Sequence, residues 1–579
     1  MTTTTADITK SRFNRVAKWI PGIGVARNYQ SGWLPKDLVA GLVLSALLVP
    51  QGMAYAELAG LPPITGLYTT VVCLLAYALF GPSPYLVLGP DSSLGPMIAA
   101  AVLPLAMGDE TRAIALAGVL ALMVGAICVG AGVARLGFVA DLISKPVRIG
   151  YLAGLAITIF VGQLPKLFGI SVDADGLIQE FAAVITNLSQ TNIWTLAVGL
   201  LTLAIILLLR RFAPRLPGVL FAVLGAIAAT IVFDLAAKGV DLVGVLPQGF
   251  PSLSLPSASL ADIPLLAATA LGMSLLAIGD TISTSTGFAA RRGDEVDSNQ
   301  ELVGIGTANV LAGLFQGFPI STSGSRTAVA EQAGAKTQLT GVVATLAVLA
   351  MLIFFPGLVK DLPQSALAAI IIVAAMSLLD LPALRHLWNV RRSEFTLAVV
   401  SILGVALVGV LEGIVIAVIL SIIQFFNRAW KTHHAILGNP AEVAGYHDIT
   451  RYPDAELIPG LIMLRWDGPI FFANATLFRQ LVRDQIAAAV PLPHWVLIAA
   501  EPITDVDTTA ADMLVDLDLE LNSAGIHLVF AELKDYVRDK IIRYGLLDTI
   551  DNRHFYPTLE VAVEEFHREM RRGRESDSS

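Results

Sequence analysis

The run Phe318-Pro-Ile-Ser-Thr-Ser-Gly-Ser-Arg326-Thr327 sets one arginine and a cluster of hydroxyls, broken by proline and glycine, between strongly apolar stretches. A guanidinium at bilayer depth costs several kcal/mol, so it is seldom kept there without a purpose. Irregular backbone at that depth is tolerated only where protein or a water-filled cavity surrounds it. Peptide N–H groups, hydroxyls and a nearby cation beside a helix start are what a dehydrated oxyanion needs. The chemistry these residues point to is anion binding inside a membrane protein.

A second polar break, Pro82-Ser-Pro84-Tyr-Leu-Val-Leu-Gly89-Pro90-Asp-Ser-Ser93, has the same character. Each break reads as a short extended segment leading into a half-helix. Asp91 is awkward beside an anion, and its expected role is an N-cap. Glu57 is expected at an exposed rim near the outer end of the first helix.

The elements that must carry these breaks are membrane spans. The chain has 579 residues, 55% hydrophobic and 15% charged, with mean hydropathy +0.70. Soluble domains are far more polar, so the bulk of the chain belongs in a bilayer. The net charge of −9 gathers largely in the C-terminal third. Fourteen apolar segments are expected, at 38–58, 64–80, 90–106, 112–134, 147–168, 192–210, 217–237, 263–285, 301–316, 324–334, 337–356, 364–380, 394–409 and 411–428. The third and tenth are short and interrupted. Seven positions apart, they suggest two inverted repeats of seven helices, whose broken helices point N-terminal dipole ends at the substrate.

Basic residues orient the set. Residues 1–36, with Lys10, Arg12, Arg15, Lys18, Arg27 and Lys36, read as a cytoplasmic tail rather than a signal peptide. Inner loops then hold Lys145 and Arg148; Arg210, Arg211 and Arg215; Arg291 and Arg292; Lys336; Arg385, Arg391 and Arg392; Arg428 and Lys431. Outer loops carry only Arg112, Lys166, Lys238 and Lys360, which places both termini in the cytoplasm of a cell whose inner (plasma) membrane holds the protein. Cys73 and Cys128 lie in apolar runs and read as small buried hydrophobes.

The transport domain is expected over 37–430, a linker over 431–445, a soluble α/β domain over 446–570 and a polar tail over 571–579. All eight histidines fall beyond Pro382. In the α/β domain, strands are expected at Ile462–Arg465, Ile470–Phe472, Trp495–Ala500 and Ile526–Phe530. Helices are expected at Ala475–Ala488, Thr508–Ser523, Asp535–Tyr544 and Leu559–Met570.

From Trp33 to about Met570 the chain resembles the sulfate permease (SulP) family, related to the solute-carrier anion exchangers that include prestin. The resemblance is carried by Leu34-Pro-Lys-Asp-Leu-Val-Ala-Gly41, Val49-Pro-Gln-Gly-Met-Ala-Tyr55, Ala59-Gly-Leu-Pro-Pro63 with Gly66-Leu-Tyr68, and Gly89-Pro90. It continues through Phe288-Ala-Ala-Arg-Arg-Gly293, Asn299-Gln-Glu-Leu302, Asn309 and Ser325-Arg326-Thr327. The fold it implies is the fourteen-helix core-and-gate arrangement of uracil permease-like carriers, followed by a cytoplasmic STAS module. It also implies that Ser325 and backbone amides touch the anion while Arg326 supplies positive potential, and that Gln51 and Tyr55 line the substrate. With Ser92, Ser93 and Ser323 at the breaks, these are the candidate substrate contacts. The bland readings are an arginine bonding carbonyls across helices, and ordinary interhelical packing for Gln51 and Tyr55.

Asp280 lies within Leu271-Gly-Met-Ser-Leu-Leu-Ala-Ile-Gly-Asp280-Thr-Ile-Ser-Thr284. It resembles the coupling acid of proton symporters, and a carboxyl in low dielectric can exchange a proton near neutral pH. With Thr284 one turn on, it also resembles the sodium site of bicarbonate-transporting relatives. A third reading makes it a structural partner for Arg326. In the C-terminal domain, Asp507-Thr508-Thr509-Ala510 stands where single-domain STAS proteins carry Asp-Ser-Ser-Gly and accept phosphate. The replacements favour a plain Asp N-cap, and regulation through Asp507, Thr508 and Thr509 stays the alternative.

These expectations combine into a homodimeric secondary active transporter of small inorganic oxyanions, sulfate first, with proton symport, alternating access and no cofactor. Sodium-coupled bicarbonate and proton-coupled dicarboxylate transport are same-family alternatives. A membrane-tethered STAS regulator with a cytoplasmic protein partner is the rival from another class. No nucleophile–base set, zinc-ligand spacing or phosphate loop points to an enzyme, and nothing points to nucleic acid.

Overall fold

A computed structural model describes residues 20–137, 144–172, 176–213 and 216–577. Lys10, Arg12, Arg15, Lys18 and Arg215 lie outside the described residues. The chain divides into two compact units, Met1–Ser421 and Ile422–Ser579.

The first unit is helical. A short α1 (Pro21–Arg27) precedes α2 (Leu34–Leu58) and α3 (Pro63–Phe80), and strand β1 (Leu88–Gly89) then leads into the half-helix α4 (Gly95–Ala106). Next come α5 (Glu110–Val133), α6 (Lys145–Phe168), a short α7 (Leu177–Thr186), α8 (Ile193–Phe212) and α9 (Gly218–Val232). The second half starts with α10 (Ile263–Ala290) and α11 (Ser298–Leu314), followed by strand β2 (Ser321–Thr322) and the half-helix α12 (Gly324–Gln332). It continues through α13 (Leu339–Phe354), α14 (Gln364–Leu378), a short α15 (Leu381–Val390) and α16 (Arg392–Leu403), and α17 (Val410–Trp430) crosses the unit boundary.

Each of the fourteen expected segments coincides with one of these helices, or with a strand and half-helix together. The interruption has a length behind it. The 12 residues of α4 and the 9 of α12 rise about 18 and 13 Å, short of the roughly 30 Å hydrocarbon core, so extended residues complete each crossing. Helices α1, α7 and α15 were not expected from the sequence. They are short, and α7 and α15 are amphipathic, so a search for apolar spans passes over them.

The inverted repeat is visible in the packing. A two-fold relation pairing α2 with α10, α3 with α11 and α5 with α13 requires contacts to occur in matched pairs, and they do. Helix α2 packs on α13 as α10 packs on α5, and α5 packs on α11 as α13 packs on α3. Buried acids repeat the link at helix starts. Asp37 on α2 accepts from Lys336 N at 2.7 Å, Thr337 N at 3.1 Å and the Thr337 and Thr340 hydroxyls, fixing the start of α13. Asp262, before α10, accepts from Arg112 at the start of α5. Helices α5 and α11 meet backbone to backbone: a Cβ added at Gly125 would lie 2.7 Å from Gly306 O, and one at Gly132 would lie 2.7 Å from Asn299 O. Small residues are what let helices approach this closely in lipid. A second group forms around α6, which packs on α14, α16 and α8.

The second unit is a sheet ordered β4-β3-β5-β6-β7-β8, comprising β3 (His434–Gly438), β4 (His447–Asp448), β5 (Leu461–Trp466), β6 (Trp495–Ala499), β7 (His527–Ala531) and β8 (Phe555–Tyr556). Strands β5 to β8 are parallel, and β3 is antiparallel to both its neighbours. Helices α18 (Ala475–Ala488), α19 (Thr508–Ser523) and α20 (Asp535–Arg543) bury Phe478, Leu514 and Ile541 against one face, and α21 (Leu559–Asp577) buries Phe566 against the other. Strand β3 falls within 431–445, read as linker; it opens on His434, directly after His433, and pairs with β5. Residues 470–472 form no strand, and only Ile470 bridges to Val506. Helix α21 runs on past Met570 into the expected polar tail.

Candidate functional site

Strands β1 and β2 pair antiparallel, Leu88 with Thr322 and Gly89 with Ser321, and α4 and α12 start from this crossing. The positive dipole ends of both half-helices therefore face one place. Unwound backbone this deep needs partners for its polar groups, and each strand has its own clasp. On the β2 side, Ile320 N donates to Asn309 Oδ1 at 2.9 Å and Phe318 N donates to Thr69 Oγ1 at 3.2 Å. On the β1 side, Gln338 Nε2 donates to Ser83 O at 2.7 Å and Leu86 O at 2.9 Å, and Val87 N donates to Thr327 Oγ1 at 3.1 Å. Buried Glu301 accepts from the Tyr77 hydroxyl at 2.6 Å and from Ser83.

Arg326 stands at the crossing, 1% exposed, and among the described residues its Nε, Nη1 and Nη2 have no hydrogen-bond partner. The nearest counter-charge is Asp91, whose Oδ2 lies 3.8 Å from Nη2. Its closeness depends on glycine, because a Cβ at Gly89 would lie 2.8 Å from Nη1. Asp91 Oδ1 accepts from Ser93 N at 2.9 Å and Ser93 Oγ at 2.6 Å. Asp91 thus caps the turn before α4, whereas α4 itself starts at Gly95 without a side-chain cap. In the other half, Ser323 caps α12 by accepting from Arg326 N at 3.4 Å and shares a 3.1 Å hydrogen bond with Ser325.

A cavity of about 530 Å³ reaches this place. Gln51 and Tyr55 of α2 and Ser325 of α12 line it, and it continues past Ile370 and Ser377 of α14 to Gln332 and Arg210. Three of the candidate contacts, Gln51, Tyr55 and Ser325, therefore line one cavity, and Arg326 is the residue next to Ser325 in the chain. Ser92 and Ser93 are buried outside that lining, and the Ser93 hydroxyl is already engaged by Asp91. Asp280 and Thr284 are half-buried on α10 and do not line the cavity. Among the described residues the Asp280 carboxylate enters no hydrogen bond or salt bridge; the ion-pair partner of Arg326 is Asp91, which corrects the third reading of Asp280.

Glu57 is also corrected. Its side chain is 6% exposed, not at an open rim, and Oε2 lies 3.0 Å from Lys166 Nζ. Asp507 caps α19, its Oδ1 accepting from Ala510 N at 2.8 Å, with the Thr508 and Thr509 side chains exposed beside it. The sequence reading missed the clasps Thr69 and Gln338 and the mouth residues Arg210 and Gln332. A buried amide inside an apolar segment would have been the signal for Gln338.

A model of the sulfate permease family matches residues 34–401, and one of the STAS domain matches residues 452–562. A probable sulfate transporter of Mycobacterium tuberculosis is 40% identical over 552 residues, covering 95% of this chain and 99% of that protein. Sulfate transporter 4.1, chloroplastic, of Arabidopsis thaliana is 31% identical over 577 residues, 95% of this chain and 83% of that one. Among solved structures, murine Solute Carrier 26 family member A9, an anion transporter in the inward-facing state, superposes with TM-score 0.88 at 24% identity, covering 95% of this chain and 94% of that one.

Proposed function

The chain belongs to the sulfate permease family, with a C-terminal STAS domain, and on that premise we propose that it is a secondary active carrier of small inorganic oxyanions, sulfate first, with proton symport and alternating access. It is a membrane protein of a transporter family, whose relatives include sulfate transporters and solute carrier family 26 members.

The observation that carries the reading is Arg326: a buried guanidinium without hydrogen-bond partners among the described residues, between two half-helix starts, next in the chain to a serine that lines the cavity. Anion oxygens accept strongly from such donors. Gln51 offers an amide donor in the same wall, and Tyr55 offers a polar ring edge. The cavity runs toward Arg210 and Gln332, at the end where the basic loops cluster, which supports reading this as the inward-facing member of an alternating pair. Asp280, titratable, half-buried and, among the described residues, without a hydrogen bond, is the proposed proton carrier. Sodium in its place is the second reading, favoured by Thr284 one turn away on the same helix. A homodimer, both termini in the cytoplasm, and a protein partner for the STAS domain through Thr508 and Thr509 belong to the same proposal.

Radiolabelled sulfate uptake into proteoliposomes, with and without an inward proton gradient and without sodium, tests it. Gradient-driven uptake is expected. Uptake only with sodium would replace the proton; sulfate binding without any flux would favour the tethered regulator.

A further inference from the structure

At the opposite end from the cavity mouth, one ion pair joins the two groups of helices. Glu57 is in the last turn of α2, two residues (about 3 Å of rise) beyond Tyr55 of the cavity wall. Lys166 is in the last turn of α6. Their charged atoms are 3.0 Å apart, although α2 and α6 belong to different packing groups and otherwise share little contact. The carboxylate is 6% exposed while the lysine side chain is 35% exposed, so the acid is buried and the base reaches it from the rim. Among the described residues the second carboxylate oxygen, Oε1, is buried with no hydrogen-bond partner, so the link is a single contact. At its other end α6 meets α10 through Arg148 Nη1, which donates to Ser283 Oγ at 3.1 Å. Helix α6 thus touches the other group at both ends, by a charge pair on the closed side and by a hydrogen bond on the open side.

We infer that the Glu57–Lys166 pair is a latch that closes the side of the transport path opposite the cavity, and that it must break for the anion site to open to that side. The inference rests on the alternating-access reading above. The latch suits the task because one contact with a half-exposed partner can be broken by a rocking movement without unpacking a helix. Glu57 and Lys166 are positioning residues here: they set the balance between two states and do not touch the anion.

The test reads accessibility rather than transport. Ser325→Cys places a thiol in the cavity wall, and the native Cys73 and Cys128 are both buried. In oriented membranes, a membrane-impermeant thiol reagent is added to one face at a time. The unmodified pair should give labelling mainly from the cavity-mouth face. Glu57→Gln and Lys166→Gln should each raise labelling from the latch face at least about five-fold, the low end of ordinary coupling between two states. The exchange Glu57→Lys with Lys166→Glu should restore the original pattern, which a merely misfolded single variant would not allow. Latch-face labelling that stays low in both neutral variants, yet rises when saturating sulfate is present, would overturn the latch and leave alternating access standing. Latch-face labelling that never appears under any condition would overturn both.

Discussion

The two breaks occupy equivalent places in the repeat and share a frame, yet they carry opposite charges. At the first, Asp91 is turned back on its own backbone through Ser93 and is partly exposed. At the second, Arg326 is buried with three nitrogens unengaged among the described residues. Both strands are pinned by polar groups from neighbouring helices, Gln338 for one and Asn309 for the other. Inverted duplication thus reproduces the backbone frame but not its chemistry: the frame supplies two dipole ends, and in the proposed function the side chains make one of them an anion site and the other its partial counter-charge.

Five substitutions break or sharpen that contrast. Arg326→Ala should remove about 2–5 kcal/mol of anion binding, the usual loss when one partner of a buried charged contact is truncated. Sulfate uptake should become undetectable while the helical content by circular dichroism is kept. Asn309→Leu and Gln338→Leu probe the shared frame, and each should cost about 1–3 kcal/mol by leaving buried backbone groups unpaired. Thermal unfolding in detergent should give similar losses for the two; a large loss for only one would end the symmetry of the clasps. Gly89→Ala pushes a methyl into the guanidinium and should weaken sulfate about tenfold, ~1.4 kcal/mol, read as a raised KM with normal expression. Asp91→Asn should do the reverse on a smaller scale, tightening sulfate by about 0.5–1 kcal/mol, because the amide oxygen can still accept from Ser93 while the counter-charge is gone. Weaker sulfate binding in Asp91→Asn would mean that its charge, not its capping, builds the site.

The parts legible in the sequence were those with local causes. Apolar runs mark spans because lipid demands them residue by residue, and Pro82–Ser93 and Phe318–Arg326 stand out because they violate that demand. Gln51, Tyr55 and Ser325 meet in one cavity, yet nothing local separates them from Ser93, whose hydroxyl faces inward to Asp91. Partners distant in sequence were not legible: Asp91 with Arg326, Glu57 with Lys166, and Asp37 with the start of α13. Each is fixed by how the halves interlock, which no window of sequence contains. Strand β3 was missed for another reason. The five-residue strand His434–Gly438 offers only Ala435, Ile436 and Leu437 as a short apolar run between a histidine and a glycine, and its place in the sheet comes from β5 beside it.

The central claim is that one anion is held where the half-helix starts meet, against Arg326. Equilibrium binding of radiolabelled sulfate to the purified protein, compared with Arg326→Ala and Asp91→Asn, tests it most directly. The account predicts saturable binding that is lost in Arg326→Ala and tightened in Asp91→Asn. Undiminished binding by Arg326→Ala would contradict it.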